Sequence, residues 1–226
     1  TSGVSNIRGV VGGAGNDVIT SGNGNDTLSG GGGSDTFRFA NYWGADTVTD
    51  AGVGGTDVLD FSLVTRDLTF TIRADGSVMA TDGTADLDPT TGMERIVGGS
   101  GDNVLAFEAG AVFAGTIDGG TGGVNALDYS GYTTDVTVNL VNGTATGTTG
   151  ISHFADVTGG SGNDVITGDT QNNTFDGRAG DDTYIFADGW SADAIEDYSA
   201  TGTTDTLDFS AVTVAMIVTI HADATA

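Results

Sequence analysis

The sequence predicts an all-β chain, a solenoid of stacked coils with almost no helix. Three observations predict it. Glycine-rich nine-residue units recur in two blocks, each unit made of six turn residues followed by three strand residues. Elsewhere short segments alternate apolar and polar residues with a period of two, as in Leu68-Thr69-Phe70-Thr71-Ile72 and Val136-Thr137-Val138-Asn139-Leu140. No window of eleven or more residues holds helical spacing free of glycine or β-branched runs. Short strands, dense turns and serial self-similarity describe a quasi-one-dimensional array, in which each coil buries its apolar side against its neighbours.

Taken in order, the chain divides into one complete large repeat, 1–147, and a second, truncated one, 148–226, with a period of 147 to 148 residues. The first opens on the block 12–38, which reads GGAGNDVIT, SGNGNDTLS, GGGGSDTFR. Each unit closes its turn with an acid at the sixth position (Asp17, Asp26, Asp35) and places an apolar residue at the eighth (Ile19, Leu28, Phe37). Connecting strands follow over 39–97, then degenerate turns over 98–124, where Gly98-Gly99-Ser100-Gly101-Asp102-Asn103 ends in Asn and Gly119-Gly120-Thr121-Gly122-Gly123-Val124 has lost the acid. Strands fill 125–147. In the second repeat the block 159–185 reads GGSGNDVIT, GDTQNNTFD, GRAGDDTYI, with Asp164, Asn173 and Asp182 at the sixth positions, and strands fill 186–226. Trp43 pairs with Trp190, Asp46 with Asp193 and Asp50 with Asp197 across the large repeat. A D-x-L-D-[FY]-S element recurs at Asp57–Ser62, Asn125–Ser130 (with Asn first) and Asp205–Ser210. The long connections keep the alternating pattern, so they are expected to form further coils of irregular length rather than side-sheets. A strand pattern is still running at Ala226, which suggests a segment of something longer.

Composition narrows the function. Thirty-one acidic residues face six Lys and Arg, a net charge of −25. Nucleic acid and anionic membranes carry the same sign and are excluded as partners. Glu occurs only at Glu94, Glu108 and Glu196, so the acid is nearly all Asp, the short turn-former that suits hard cations. There is no Cys, so neither a disulfide framework nor a thiolate site stabilises the chain. No apolar run approaches the ~20 residues of a membrane-spanning helix. No nucleophile elbow, H-E-x-x-H, Walker loop or G-x-G-x-x-G appears, and in so acidic a chain paired carboxylates are not diagnostic; catalysis is not expected.

The nonapeptide points to calcium. Its glycines allow φ > 0 and bring backbone carbonyls inward, and Asp adds hard oxygen. Ca²⁺ takes six to eight such oxygens, more than one turn supplies, so an ion between stacked turns completes its shell from two neighbours. With 18 residues per coil, Gly12–Asp17 stacks on Gly30–Asp35, while Ser21–Asp26 lies on the opposite side and must find partners in flanking chain. In the second block the turn that has lost its glycines and Asp, 168–173, is likewise the opposite one.

These blocks resemble the RTX (repeats-in-toxin) family, whose GGxGxDxUx nonapeptide forms a calcium-bound parallel β-roll. The resemblance implies several calcium ions. It implies ligands at Asp17, Asp26, Asp35, Asp164 and Asp182, a weakened one at Asn173, and turn carbonyls at Gly13, Gly15, Gly22, Gly24, Gly31, Gly33, Gly160 and Gly162. Asp46, Asp50, Asp193 and Asp197, on acidic alternating segments, are further candidates. The acids Asp60, Asp128 and Asp208 either cap turns or ligate. Trp43 and Trp190 pack coils or offer a glycan platform, and His153 is a surface or packing residue. Family members are typically bacterial, exported by a one-step (type I) route and extracellular. The expected function is a calcium-binding structural segment of an adhesin, surface-layer or fibre protein that folds after export. Further copies of itself end to end, or cell-surface polysaccharide, are the expected partners. The alternative is a non-catalytic RTX module assisting folding or polysaccharide binding of a secreted hydrolase or epimerase.

Overall fold

The computed structural model describes residues 7–50, 54–196, 204–217 and 219, and all regular structure among them is strand. The first block supplies β1 (Gly9–Val11), β2 (Val18–Thr20), β3 (Thr27–Ser29) and β4 (Thr36–Ala40). Next come β5 (Ala45–Val48), β6 (Val58–Leu63), β7 (Leu68–Ile72), β8 (Val78–Thr81), β9 (Asp86–Thr90) and β10 (Arg95–Val97). The middle holds β11 (Asn103–Phe107), β12 (Thr116–Asp118), β13 (Ala126–Asp128), β14 (Thr137–Asn139), β15 (Thr144–Ala145) and β16 (Gly150–Ser152). Last are β17 (Asp156–Thr158), β18 (Val165–Thr167), β19 (Thr174–Asp176), β20 (Thr183–Ala187), β21 (Ala194–Ile195) and β22 (Thr206–Ala211).

Outside two back-folds, successive strands go to opposite faces of a parallel β-roll. One face is a single eleven-stranded sheet, ordered β1-β3-β5-β9-β8-β7-β11-β13-β17-β19-β21. The other is divided into a six-stranded sheet, β2-β4-β6-β10-β12-β16, and a five-stranded one, β15-β14-β18-β20-β22. Within the nonapeptide blocks the ladders are parallel and offset by one coil: Gly9 pairs with Thr27, Val18 with Thr36 and Val165 with Thr183. A three-residue strand points only its central side chain inward, because side chains alternate along a strand. Hence Ile19, Leu28, Phe37, Leu59, Ile96, Leu105, Leu127, Val157, Ile166, Phe175 and Tyr184 file through a thin core, all buried. One or two such residues per coil, at about 1.5–3 kcal/mol each, cannot hold an isolated coil together, so stacking is obligatory.

Longer coils carry aromatic plugs. Phe39 stacks on Phe61 at 4.5 Å between centroids, and Trp43 meets both edge-on. Phe186, Trp190 and Phe209 repeat the arrangement, and Phe107, Tyr129 and Tyr132 form a third. Both tryptophans therefore pack coils. Trp43 is enclosed, whereas Trp190 keeps 41% of its surface exposed.

The long connections do continue the coil path, but not as coils alone. Each face contains one back-fold. On the first, β7 runs parallel to the later strand β11, β8 returns antiparallel, and β9 runs parallel to the earlier strand β5. On the second, β14 pairs with the later β18, turns antiparallel into β15, and β16 pairs with the earlier β12. Gly76 and Gly83, both at φ +80°, make the tight reversals, and Asp75 and Asp82 close them by accepting the Ser77 and Thr84 N–H groups. A nine-residue unit has no room for such a reversal; these longer segments do.

Candidate metal centre

The functional geometry lies at the two corners where the chain crosses between faces. At each corner an acid or amide stands two residues before a buried strand centre, as Asp17 does before Ile19. That spacing turns its side chain along the stack, toward the next coil. Asp17 N–H donates to Asp35 Oδ1 (2.8 Å), Asp35 N–H to Asp57 Oδ1 (2.6 Å) and Asp57 N–H to Glu94 Oε2 (2.8 Å). Further along that corner Val136 N–H donates to Asp164, Asp164 N–H to Asp182 and Asp182 N–H to Asp205, at 2.7, 2.7 and 3.0 Å. At the opposite corner Asp26 N–H donates to Asp46 (2.8 Å), Asn103 N–H to Asn125 (3.1 Å) and Asn173 N–H to Asp193 (3.1 Å). The second carboxylate oxygen folds back onto its own turn, where Gly13, Gly22 and Gly160 N–H groups reach Asp17, Asp26 and Asp164 Oδ2 at 2.7, 3.2 and 2.7 Å.

Turn carbonyls fill the same space. Gly13 O accepts the Gly32 N–H (2.9 Å) and Gly160 O the Ala179 N–H (3.4 Å). Gly31 must be glycine: its φ is +103°, and a Cβ there would lie 2.2 Å from Gly13 O. The carbonyls of Gly15, Gly24, Gly33 and Gly162 press in the same way on Gly33, Gly44, Gly55 and Gly180 of the following coil. Gly22 O lies beside the Ser21 hydroxyl, which donates to it at 3.2 Å.

The carboxylates of Asp35, Asp50 and Asp57 converge, with an oxygen from each within 4.8 Å of the others. Asp35 is fully buried, and its Oδ2 has no hydrogen-bond partner; Asp193 Oδ2 is buried in the same condition. Burial pushes Asp57 up to about 6, and the neighbouring Asp50 and Glu94 add to the rise against the Asp35 N–H. Burial also raises Asp46, with the charge of Asp26 adding; Asp164, with Asp135 adding; and Asp193, with Asp169 adding. The ion pairs of the described residues, Arg38–Asp60, Arg66–Asp82, Arg73–Glu108 and Arg95–Asp118, and the His153 Nδ1–Asp118 Oδ1 contact use acids outside these corner files. Buried, clustered, oxygen-only groups with a free lone pair suit a hard divalent cation.

The structure thus brings Asp17 together with Asp35, Asp26 with Asp46, Asp35 with Asp50, Asp164 with Asp182, and Asn173 with Asp193. Asp197 lies outside the described residues. Asn173 commits its side chain to its own turn and the preceding coil: Oδ1 accepts the Asp169 N–H (3.0 Å) and Nδ2 donates to Ala155 O (3.0 Å). Asp60, Asp128 and Asp208 cap turns, each accepting the N–H two residues on, from Ser62, Ser130 and Ser210. Sequence reasoning missed Asp57, Glu94 and Asp205, having weighed the second acid of D-x-L-D rather than the first. The signal was there: an acid, one residue, then a buried apolar residue, as in Asp57-Val58-Leu59 and Glu94-Arg95-Ile96. A second ladder also went unread. The fifth-position side chains Asn16, Asn163 and Asp181 accept the N–H groups of Ser34, Asp181 and Thr204 at 2.8–3.0 Å.

Compared with known families, the chain matches the model of the RTX calcium-binding nonapeptide repeat, in four copies, over residues 10–37, 89–111 and 157–189. A search of curated proteins finds no match.

Proposed function

Because the chain carries RTX calcium-binding nonapeptide repeats, we propose that it is a structural β-roll segment of a bacterial extracellular adhesin, surface-layer or fibre protein, folded by calcium after export. The observation that carries this reading is the buried, unpartnered Oδ2 of Asp35 beside Asp50 and Asp57. A carboxylate oxygen withdrawn from water without a partner costs several kcal/mol unless a cation meets it. Asp17, Asp35, Asp50, Asp57, Asp164 and Asp182 would hold ions at one corner, Asp26, Asp46 and Asp193 at the other, with the turn carbonyls of Gly13, Gly15, Gly22, Gly24, Gly31, Gly33, Gly160 and Gly162 completing the shells. A bound ion supplies the positive charge that joins two coils. The chain's own residues do the rest: glycines admit the carbonyls, the acid files set the coil spacing, and the apolar file excludes water.

Without calcium the net charge of −25 opposes compaction. That state suits export from a cytosol poor in calcium. Outside, about 1 mM calcium meets sites of the ~10⁻⁴ to 10⁻³ M class of extracellular modules, each adding about 0.4–1.4 kcal/mol by mass action. Several such sites convert an unfolded chain into a folded one. Circular dichroism tests it: most of the β signal should vanish in EDTA and return with Ca²⁺, and an undiminished spectrum in EDTA refutes it.

A further inference from the structure

Between the two blocks lie two corner turns whose sixth or seventh residue is an amide, Asn103 and Asn125, and both side chains are buried. Their contacts differ in kind from those of the acids. Asn103 Nδ2 sits among the carbonyl oxygens of Gly119 (2.8 Å), Gly101 (3.1 Å) and Gly99 (3.3 Å) and the Oδ1 of Asn125 (3.0 Å). All four acceptors belong to its own turn or the next coil's turn, two from each, in the manner of a shared ion. Asn125 Nδ2 donates to His153 O (2.8 Å) and Gly120 O (3.4 Å). Neither amide can be turned round, because its oxygen would then face carbonyl oxygens. Asn103 Oδ1 meanwhile accepts the Leu68 N–H (3.2 Å), so the file of side-chain acceptors along the corner is kept.

Resting on the calcium reading above, we propose that Asn103 and Asn125 are built-in substitutes for the cation. An NH₂ group presents two positive hydrogens to the inward oxygens and draws them together, two bonded at a time, without an ion. Replacing two acids by two amides also removes the charge that an ion would be needed to neutralise. The turns at 98–103 and 119–125 are therefore permanent cross-links that bind no calcium. Calcium loads two separate blocks, 12–57 and 159–205, divided by a spacer whose corner chemistry is indifferent to its concentration.

The test uses the full chain crystallised with calcium, with anomalous scattering locating the ions. Peaks are expected at the turns of both blocks and none among the Gly99, Gly101 and Gly119 carbonyls. An ion there overturns the proposal while leaving the calcium reading intact. No ion at either block overturns the calcium reading itself. A second measurement uses the double variant Asn103→Asp and Asn125→Asp. Equilibrium dialysis should show about one more bound Ca²⁺ per chain than the parent, and the calcium midpoint of folding should rise several-fold because new acids now need neutralising. An unchanged ion count with an unchanged midpoint overturns the proposal. If the variant does not fold, the ion positions in the parent decide.

Discussion

Replacing Asp35 by Asn should reverse the sign of its effect with calcium. In the parent, the Asp35, Asp50 and Asp57 carboxylates lie within 4.8 Å of one another. At that separation two ionised groups repel by about 3.5 kcal/mol at an effective dielectric of ~20, and by about 1 kcal/mol if fully screened by water. Asp35→Asn removes two of the three repulsions. Asp57 already relieves part of the strain by keeping its proton up to about 6. A gain of roughly 1–3 kcal/mol for the metal-free fold remains. The amide oxygen can still accept the Asp17 N–H, so the stacking bond survives. With calcium at 100 times its Kd, loss of one ion removes about 2.7 kcal/mol, and the relieved repulsion offsets about 1 kcal/mol or more of that, leaving a net loss of at most about 1.7 kcal/mol. The assay has two arms. In EDTA, the osmolyte TMAO drives the chain toward its compact state; its folding midpoint should fall in the variant. In excess calcium, thermal melting should drop, by at most about 3–7 °C at about 2–4 °C per kcal/mol for a chain of this size. A variant destabilised equally in both arms would refute the reasoning, because Asp35 would then be only a hydrogen-bond acceptor in a turn.

Three further outcomes follow from the same structure. Gly31→Ala should cost well over 2 kcal/mol, since it combines the left-handed φ with a Cβ 2.2 Å from Gly13 O, whereas Gly54→Ala, at φ +96° with open space around it, should cost about 1 kcal/mol; thermal melts in calcium compare them. Phe61→Ala empties the plug between Phe39, Trp43 and Phe70 and should cost about 3–5 kcal/mol by the same assay. In EDTA, lowering the pH from 7 to about 4.5 should restore β signal: Asp57, raised from 3.8 to about 6, together with the raised Asp46, Asp164 and Asp193, binds protons more tightly folded than unfolded. That contribution is complete below about 4 and is lost as pH rises through 6. Calcium affinity should weaken over the same window, because ligation needs the carboxylates deprotonated.

The coil pairing was legible because one period governs it. Eighteen residues separate Asp17 from Asp35 and Asp164 from Asp182, and a strand of three leaves only its centre to bury. Even the isolation of Asp26 from the first file could be read, and Asp46 meets it across an irregular coil. What could not be read was level along the stack. A hairpin and a coil share the period-two pattern, so β7 to β9 look like successive coils until pairing shows β9 beside β5. The continuation of the first file through Asp57 and Glu94 was hidden for a related reason: the spacing grows from 18 to 22 and then 37 residues, and only the local acid-x-apolar pattern persists.

The two back-folds bear on the order in which the chain is assembled in time. Parallel ladders here join residues 18 or more positions apart, and in places 37, so each pays a loop-closure entropy before any contact repays it. The antiparallel pairs Ile72–Val78 and Asn139–Thr144 close loops of only a few residues. Hairpins of that kind form in microseconds and require no ion. Both lie in the middle of the chain, within 68–145, the stretch that also holds the Asn103 and Asn125 cross-links. Nucleation is expected there. Winding would then proceed outward in both directions, with calcium, on the proposed reading, governing how far it travels rather than where it begins.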